Sequence, residues 1–245
     1  MKIILPYARI INAPTLVESM GKIEWCGRVS HRSEDNQTDL TWKRFIETVV
    51  LGHGDWSIVE HVSVTVDAVV DRGITHEWVR HRLFSFTQES TRFVNYEKKM
   101  VPSFIYPKPD VECEHCLSGS LIGPEPDYAC SMWKHGIGGP ECAYCPLWIH
   151  AIAYSEQQYT ALIRMGWRPQ EARSIFPNAL ASRLVTTGNL RNWRHFFIMR
   201  TTAEAHPQMR QVTIPLLAEF QKAFPLLFDD IVPMAKQSES MKRIR

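Results

Sequence analysis

The chain has 245 residues, of which 44% are hydrophobic and 11% aromatic, so it is long and apolar enough to bury a core. Its formal net charge of +2 excludes the strong basic excess of a protein that coats nucleic acid. No apolar run reaches the roughly 18 residues of a membrane span, and the N-terminal residues lack a signal-peptide cleavage pattern. We therefore expect a globular, cytoplasmic protein that binds no membrane.

The predicted elements mix helices with a strand. The strand prediction rests on Val62, Val64 and Val66, which alternate with short polar side chains. The helix predictions rest on apolar residues three and four positions apart. In chain order, the predicted elements are helices over 14–26 and 38–51, a strand over 60–70, a short helix over 74–82 that Gly73 opens, helices over 147–165 and from Pro169 to Phe176, an extended segment over 182–187, and helices over 189–200 and 207–223. The polar tail, 234–245, is expected to fray.

One stretch, RHRLFSFTQESTRF at residues 80–93, concentrates positive charge and short polar donors. It holds three arginines, a histidine and several hydroxyl and amide side chains, and its one carboxylate is Glu89. It begins at the end of the short helix, where Glu77, Arg80 and His81 share one face at positions i, i+3 and i+4. We expect the remainder of the stretch to continue as a loop.

Arginine replaces lysine over long parts of the chain. Residues 45–97 and 135–221 contain no lysine. A guanidinium group offers a planar fork that matches phosphate and carboxylate, so this usage favours discrete anion sites. The alternative is that the arginines simply cover helix surfaces. The arginines in these two ranges are Arg72, Arg80, Arg82, Arg92, Arg164, Arg168, Arg173, Arg183, Arg191, Arg194, Arg200 and Arg210.

The predicted helix over 189–200 places Arg200 at the end of an aromatic face. At about 100° per residue, Trp193 and Phe196 share that face with Arg200, while Arg191 and His195 lie on another. An unpaired charge is costly to bury, so Arg200 needs an anionic ligand or a row of acceptors opposite it. The alternative is an internal ion pair with an aspartate or glutamate.

Several common enzyme chemistries lack their motifs in this chain. Neither Ser85 nor Ser90 lies in the G-x-S-x-G turn of a serine hydrolase, and no Walker loop is present. The G-x-G-x-x-G fingerprint is also missing, so side chains would have to hold the pyrophosphate of any dinucleotide. Arg80, His81 and Arg82 are suited to that task.

Residues 101–146 form a segment rich in cysteine, proline and glycine that we interpret as an insertion. Two C-x-x-C pairs, CEHC and CAYC, are typical of a four-cysteine structural zinc site in a reducing compartment. The weaker candidates for ligands are Cys130, His115 and His135, and the alternative is free cysteines in a mobile loop. Cys26, outside the insertion, is interpreted as a small core residue. The predicted zinc ligands are Cys113, Cys116, Cys142 and Cys145.

The stretch RHRLFSFTQESTR resembles the signature of the flavin-dependent thymidylate synthases, R-H-R-x-x-S-x-N-x-x-S-x-R. The resemblance extends upstream through GHGDWSIVEH and downstream through PQEAR and GNLRNWRHFFIMR, in the order of the family. It implies an α/β (α+β) fold with a mixed or antiparallel sheet flanked by helices. It also implies a single domain over 1–245 and a homotetramer with active sites assembled from several subunits. The resemblance does not explain the segment 101–146, which the cysteine spacing predicts to be a zinc-ribbon-like insertion within that domain. The matching positions are Arg80, His81, Arg82, Ser85, Ser90 and Arg92.

The same resemblance implies a reaction and its ligands. The reaction transfers a methylene group from 5,10-methylenetetrahydrofolate to dUMP and gives dTMP, with FAD as cofactor and NADPH as reductant. The implied FAD-binding residues are Ser57, Arg80, His81, Arg82, Gln88, Asn189, Arg191 and His195. The implied dUMP-binding residues are Glu77, Arg80, Gln88, Glu89, Ser90, Thr91, Arg92, Arg173 and Arg200.

Arg200 is the predicted catalytic residue, because a guanidinium beside the uracil ring stabilises the negative charge that develops when N3 loses its proton. Ser90 is interpreted as a dUMP-binding residue rather than a nucleophile, since no base is evidently placed to activate it.

The chain also departs from the family pattern. Thr87 stands at the signature asparagine, Gln88 where the family often has glutamate, Glu77 where glutamine is expected, and Phe93 at the usual tyrosine. The segment before Ser57 is about two residues longer than expected.

The alternative function is a zinc-ribbon protein that binds nucleic acid through its arginines. It would explain the cysteines and the arginines together. The low net charge and the lysine-free, arginine-rich regions argue against it.

Overall fold

The computed structural model describes residues 1–96, 101–107 and 144–233, and for residues 144–147 it describes the backbone alone. The predicted zinc site therefore lies outside the described residues: Cys113, Cys116 and Cys142 are not described, and the side chain of Cys145 is not either. Most of the predicted insertion, 101–146, also lies outside the described residues.

The described strands form two sheets. Four strands are hydrogen-bonded in the order β2-β3-β6-β4, and β1 pairs in parallel with β5, with Lys2 opposite Ser103. Helices and sheets are thus combined, which confirms the α/β prediction. The strands are β1 (Lys2–Ile4), β2 (Tyr7–Asn12), β3 (Ser63–Asp71), β4 (Ser85–Gln88), β5 (Ser103–Ile105) and β6 (Ala181–Asn189).

The helices vary from one turn to six. Trp42–Phe45 continues directly into a π-helix over Ile46–Gly52, and short 3-10 segments occur at Glu34–Asn36, Trp56–His61 and Arg173–Ile175. The α-helices of the described residues are α1 (Leu16–Val29), α2 (Trp42–Phe45), α3 (Arg72–Trp78), α4 (Tyr144–Arg164), α5 (Pro169–Ala172), α6 (Leu190–Arg200), α7 (Pro207–Ala223) and α8 (Pro225–Phe228).

Apolar spacing located the longer elements correctly and the short ones poorly. The predicted helices at 14–26, 147–165 and 207–223 correspond to α1, α4 and α7. The predicted strand at 60–70 starts only at Ser63, because the residues before it form a 3-10 turn. The short helix ends at Trp78, so the arginines and histidine of the RHR stretch lie beyond it.

The chain divides into two compact units, and each has its own core. The first unit comprises Met1–Pro6, Val69–His76 and Gln88–Arg183. Its apolar cluster is built from aromatic and aliphatic side chains, in which Tyr159 stacks on Phe176 with ring centroids 4.6 Å apart. The buried members of the cluster are Tyr96, Phe104, Ile152, Tyr159, Ala172 and Leu180.

The second unit comprises Tyr7–Ala68, Glu77–Thr87 and Leu184–Arg245. Its core is an aromatic cluster between α6, α7 and α8: the ring of Phe220 lies 5.2 Å from Trp193, 5.0 Å from Phe197 and 5.2 Å from Phe228. All four side chains are fully buried. Large aromatic groups contribute much of the burial energy of a core, so this cluster holds α6 firmly in place.

Candidate active site

Helix α6 is anchored at its first turn. Asn189 is the N-cap, and its Oδ1 accepts a hydrogen bond from the backbone N–H of Asn192 at 2.8 Å. The backbone N–H of Leu190 donates to the carbonyl oxygen of Val62 at 2.9 Å, and Nε1 of Trp193 donates to the carbonyl oxygen of Val64 at 3.1 Å. The helix therefore starts at a defined position beside β3, which sets where its side chains point.

The two faces predicted for this helix are confirmed. Trp193 and Phe196 are fully buried, whereas Arg191 and His195 are exposed. Arg200 lies at the last residue of α6 with only 18% of its side chain exposed.

The turn that carries the RHR stretch packs against β6 through Phe84. An added Cβ at Gly188 would lie 2.2 Å from Cδ1 of the Phe84 ring, so only glycine leaves room for the ring at this point. Nδ2 of Asn192 donates to the carbonyl oxygen of Leu83 at 3.0 Å and fixes the same turn to α6. These contacts hold Leu83 and Phe84 beside β6 and the first turn of α6.

Arg200 is held by hydrogen bonds from all three of its guanidinium nitrogens. Its Nε donates to Nε2 of His81 at 3.0 Å, and its Nη1 donates to Oε2 of Glu77 at 3.1 Å. Its Nη2 donates to the backbone oxygen of Glu77 at 3.4 Å. The internal ion pair that the sequence left open is thus present, with Glu77 as the carboxylate. The guanidinium plane is consequently fixed before any ligand arrives.

His81 is neutral in this arrangement. Burial, together with the charges of Arg200 and His195, lowers the pKa of His81 from its usual 6.5 to about 4. Arginine can only donate, so Nε2 of His81 must be the acceptor and the ring proton is on Nδ1. His81 therefore presents one acceptor to Arg200 and one N–H donor on its other edge.

A cavity of about 270 Å³, which we call the His81 cavity, lies between this turn and α6. None of the described residues that line it carries a carboxylate. Arg80 and Arg82 are exposed, and neither forms an ion pair within the described part of the chain. Cationic donors without internal partners suit an anionic ligand such as a flavin dinucleotide. Its polar lining residues are Arg80, His81, Arg82, Asn192, His195 and Arg200.

The other predicted FAD-binding residues of the second unit lie outside this lining. Ser57 is exposed on the 3-10 segment Trp56–His61. Arg191 forms an exposed ion pair with Glu60. Asn189 uses its side-chain oxygen to cap α6, which leaves its amide nitrogen for a ligand.

The first unit contains a separate cavity of about 320 Å³, the Arg173 cavity. Nη1 of Arg173 donates to Oγ1 of Thr91 at 2.8 Å, and its Nε donates to the carbonyl oxygen of Gln170 at 3.2 Å. Two predicted dUMP-binding residues, Arg173 and Thr91, are thereby brought together. Again no described lining residue is acidic. The polar lining residues are Arg72, Thr91, Gln170, Arg173, Ser174 and Asn178.

Gln88 lies at the end of β4, and the hydrogen bonds of its neighbours determine which way its side-chain amide is oriented. Oγ1 of Thr75 donates to the carbonyl oxygen of Arg72 at 2.9 Å, so it can only accept from Gln88. Nε2 of Gln88 is therefore the atom that faces it, at 3.0 Å, and it also donates to Ser182 at 3.0 Å. A glutamate at this position could not donate either bond, which explains why glutamine suits this chain.

The rest of the predicted dUMP-binding run lies just beyond β4. The carboxylate of Glu89 accepts from the backbone N–H of Arg183 at 3.3 Å. Oγ of Ser90 accepts from the backbone N–H of Arg92 at 3.3 Å. The guanidinium of Arg92, which is exposed, lies 5.6 Å from the ring centroid of Phe93.

The interpretation of the sequence missed several residues of these cavities. Arg72, Gln170, Ser174 and Asn178 belong to the Arg173 cavity, and Asn192 belongs to the His81 cavity. Only Arg72 carried a signal, since it is one of the arginines in the lysine-free ranges.

Two further findings bear on the predicted metal site and on membranes. Within the ranges 1–96, 101–107 and 148–233, no group of histidine, cysteine, aspartate and glutamate side chains could hold a metal ion. Cys26 is a partly buried free thiol. No helix in the described residues is long and apolar enough to cross a membrane.

Comparison with known proteins identifies clear relatives. Residues 15–226 match the family model described as thymidylate synthase complementing protein. The flavin-dependent thymidylate synthase of Corynebacterium aurimucosum is 32% identical over 217 residues, which are 87% of this chain and 80% of that protein. The one from Mycolicibacterium vanbaalenii is 31% identical over 223 residues, 89% of this chain and 82% of that protein.

A solved structure shares the fold. The UMP/dUMP methylase PolB from Streptomyces cacaoi, bound with 5-Br dUMP, gives a TM-score of 0.69 at 20% sequence identity. The similarity covers 94% of this chain and 96% of that chain.

Proposed function

Because the chain belongs to the thymidylate synthase complementing protein family, we propose that it is a flavin-dependent thymidylate synthase that converts dUMP to dTMP. The observation that carries this proposal is the constellation around Arg200. The partly buried guanidinium of Arg200, held by His81 and Glu77, lines a cavity that is also lined by Arg80 and Arg82 of the RHR stretch. Such a site combines a fixed donor with room for an anionic ligand.

The His81 cavity supplies the residues that would hold FAD. Arg80 and Arg82 provide forks for the pyrophosphate, and His81 provides its Nδ1–H as a donor. His195, Asn189, Arg191 and Ser57 are proposed to complete the site. When bound, FAD supplies the hydride that completes the methyl group, and we propose NADPH as the source of the reducing equivalents.

Arg200 is the proposed catalytic residue. Negative charge develops on the uracil ring of dUMP when N3 loses its proton, and a guanidinium beside the ring stabilises that charge. The bonds to His81 and Glu77 fix the direction in which the guanidinium points, so little reorganisation is needed when charge develops.

The residues that bind dUMP are proposed on the family resemblance. Ser90 acts as a binding residue in this scheme, because its hydroxyl oxygen accepts a backbone hydrogen bond and no base is seen to activate it in the described residues. The residues proposed to bind dUMP are Glu77, Arg80, Gln88, Glu89, Ser90, Thr91, Arg92, Arg173 and Arg200.

On the family resemblance, we also propose 5,10-methylenetetrahydrofolate as the methylene donor and a homotetramer as the assembly. The cytoplasmic location is proposed from the sequence. Family membership gives no support to the alternative of a zinc-ribbon protein that binds nucleic acid.

The proposal is tested by the reaction itself. Purified protein loaded with FAD is incubated anaerobically with dUMP, methylenetetrahydrofolate and NADPH, and dTMP is measured by chromatography. We expect dTMP only when all three substrates are present. A flavin-loaded, folded protein that forms no dTMP would falsify the proposal, and omission of each substrate in turn provides the controls.

A further inference from the structure

We propose that Arg194 is a positioning residue for the flavin site: it stacks on Trp56 and thereby holds the neighbouring Ser57 in place. Arg194 lies outside the linings of both cavities and outside the site residues implied by the family resemblance. The inference rests on the proposed function for the identity of FAD as the ligand of Ser57. The contacts that carry it all belong to the second unit.

Arg194 contacts, from helix α6, the 3-10 segment that carries Ser57. Its guanidinium carbon lies 4.6 Å from the centroid of the Trp56 ring. Arg191, three residues earlier and on the same side of the helix, forms an ion pair with Glu60 of the same segment. Two arginines of α6 therefore contact the segment, and Ser57 lies between the two contacts in the sequence.

The guanidinium of Arg194 is fixed by hydrogen bonds from both of its terminal nitrogens. Nη1 donates to the carbonyl oxygen of Leu227 at 2.6 Å and to Oδ1 of Asp230 at 2.6 Å, and Nη2 donates to Oδ2 of the same carboxylate. The hydrogen bond from Arg194 lowers the pKa of Asp230. Only 16% of the Arg194 side chain is exposed. A planar fork bound in this way cannot turn freely, so its face is a fixed surface for the indole ring.

The backbone before Ser57 is shaped by local hydrogen bonds. The chain turns at Gly54, whose φ of 83° lies in the left-handed region. The backbone N–H of Asp55 donates to the carbonyl oxygen of Val49 at 3.1 Å, and that of Trp56 donates to the carbonyl oxygen of Gly54 at 2.8 Å. These bonds join residues close in the sequence, so they shape the turn without fixing Trp56 against α6. The stack on Arg194 supplies that contact at the residue directly before Ser57.

This contact gives a role to the segment before Ser57, which is longer than the family pattern predicts. A longer connection has more dihedral angles to fix, and fixing them costs conformational entropy. The segment ends in Trp56, a large aromatic side chain that binds a cation through its ring face. The stack therefore restrains the part of the longer segment that is joined to Ser57.

The restraint acts on FAD through Ser57. The side chain of Ser57 is exposed and lies outside the lining of the His81 cavity of its own chain. In the proposed homotetramer, active sites are assembled from several subunits, and an exposed hydroxyl group suits such a shared site. A donor that is already held in place loses less conformational entropy on binding, so the affinity for the ligand is higher.

The test measures the FAD affinity of the full-length protein. Protein stripped of flavin is titrated with FAD, and the quenching of flavin fluorescence gives Kd. We expect Trp56→Leu to raise the Kd for FAD about tenfold, which is the order of effect of a desolvated cation–π contact. Trp56→Phe keeps an aromatic face for Arg194 and should retain most of the affinity. Tyr7→Leu is the matched control, because it removes the ring that Arg9 faces at 5.9 Å elsewhere in the second unit.

A double-mutant cycle with Ser57→Ala decides whether the stack acts through Ser57. Ser57→Ala alone should raise the Kd for FAD, and Trp56→Leu added to it should have little further effect. A merely structural role of the stack predicts the same fold-change in both backgrounds. Asp230→Ala takes the place of Trp56→Leu in the cycle if that variant does not fold, because the Asp230 side chain is 61% exposed and its removal frees the Arg194 fork.

The outcomes separate this inference from the proposed function. Wild-type FAD affinity in Trp56→Leu or in Ser57→Ala, or equal fold-changes in the two backgrounds, overturns the positioning role and leaves dTMP synthesis untouched. If the wild-type protein forms no dTMP but its FAD affinity shows the expected dependence on Trp56 and Ser57, the positioning role stands and the proposed function fails. A folded wild-type protein that binds no FAD overturns both.

Discussion

Nε of Arg200 donates a hydrogen bond to Nε2 of His81 at 3.0 Å, across 119 positions of the sequence. His81 belongs to the residues proposed to hold FAD, and Arg200 is the residue proposed to act on dUMP. The bond therefore makes His81 a positioning residue for the catalytic guanidinium, in addition to any contact with the flavin. His81 can fill this role only as a neutral ring, because a protonated imidazole has no acceptor.

A pair of amide substitutions at His81 tests this positioning role. The side-chain oxygen of His81→Gln can reach the place of Nε2 and accept from Arg200, whereas the shorter chain of His81→Asn reaches only the place of Nδ1. We expect His81→Asn to lose about 100-fold in kcat/KM for dUMP, since small misplacements of catalytic groups have effects of that order. His81→Gln should retain most of the activity. Equal losses in the two variants, measured at saturating FAD, would show that the bond to Arg200 is unimportant.

The lowered pKa of His81 makes stability depend on pH. Between about 4 and 6.5 the unfolded chain binds a proton at this residue and the folded chain does not, so protonation favours the unfolded state. The contribution of His81 is complete above pH 6.5 and is lost as the pH falls toward 4. We expect the free energy of unfolding of wild type to decline over this range more steeply than that of His81→Gln. Denaturant titrations at several pH values measure the free energy of unfolding of both proteins. If this free energy falls equally with pH in the two proteins, the lowered pKa of His81 is contradicted.

Arg200→Lys should keep the positive charge and remove the fork. Lysine cannot bond simultaneously to His81, to Glu77 and to a flat ring, so the direction of the charge is lost. We expect kcat to fall by about 100-fold or more, as in other enzymes that lose a donor to a developing charge. Steady-state kinetics measures the change, with Arg44→Lys as the exposed control. Turnover within a few-fold of wild type would make Arg200 merely structural.

Gly188→Ala tests the packing of the turn that carries the RHR stretch. The new Cβ would lie 2.2 Å from the Phe84 ring and displace it, which we expect to lower the free energy of unfolding by about 1–3 kcal/mol. Gly21→Ala on helix α1 is the control, because the nearest atom to the new Cβ would be Nε2 of Gln37 at an ordinary contact distance of 3.6 Å. Chemical denaturation of both variants measures the difference, and equal stabilities would show that Phe84 adjusts without cost.

The zinc site remains a prediction from the sequence, since its cysteines lie outside the described residues. We expect near-stoichiometric zinc in protein purified without a histidine tag, and loss of that zinc in the double variant Cys113→Ser/Cys142→Ser. Metal analysis by mass spectrometry decides the question. Folded wild-type protein free of zinc would contradict the prediction, and a zinc-free variant that keeps FAD and turnover would give the metal a purely structural role.

The sequence by itself determined the positions of the longer helices and the set of candidate site residues. Helices α1, α4, α6 and α7 each span more than ten residues, so their apolar spacing repeats often enough to be recognised. Strands β1, β4 and β5 have three or four residues, and they exist because a partner strand elsewhere in the chain completes their hydrogen bonds. No local sequence pattern could therefore predict these short strands.

Only the tertiary structure decided which of the candidate site residues lie in contact with one another. The sequence singled out Arg200 and left open whether a ligand or a carboxylate would meet it. The fold brought Glu77 to it from 123 positions away, and Thr91 to Arg173 from 82 positions away. In the sequence Arg72 is one arginine among many, and only the fold shows that its Nη1 is buried without a hydrogen-bond partner among the described residues. Local periodicity reports the face of an element, but contacts between distant residues depend on how the elements pack, and that is decided only when the whole core forms.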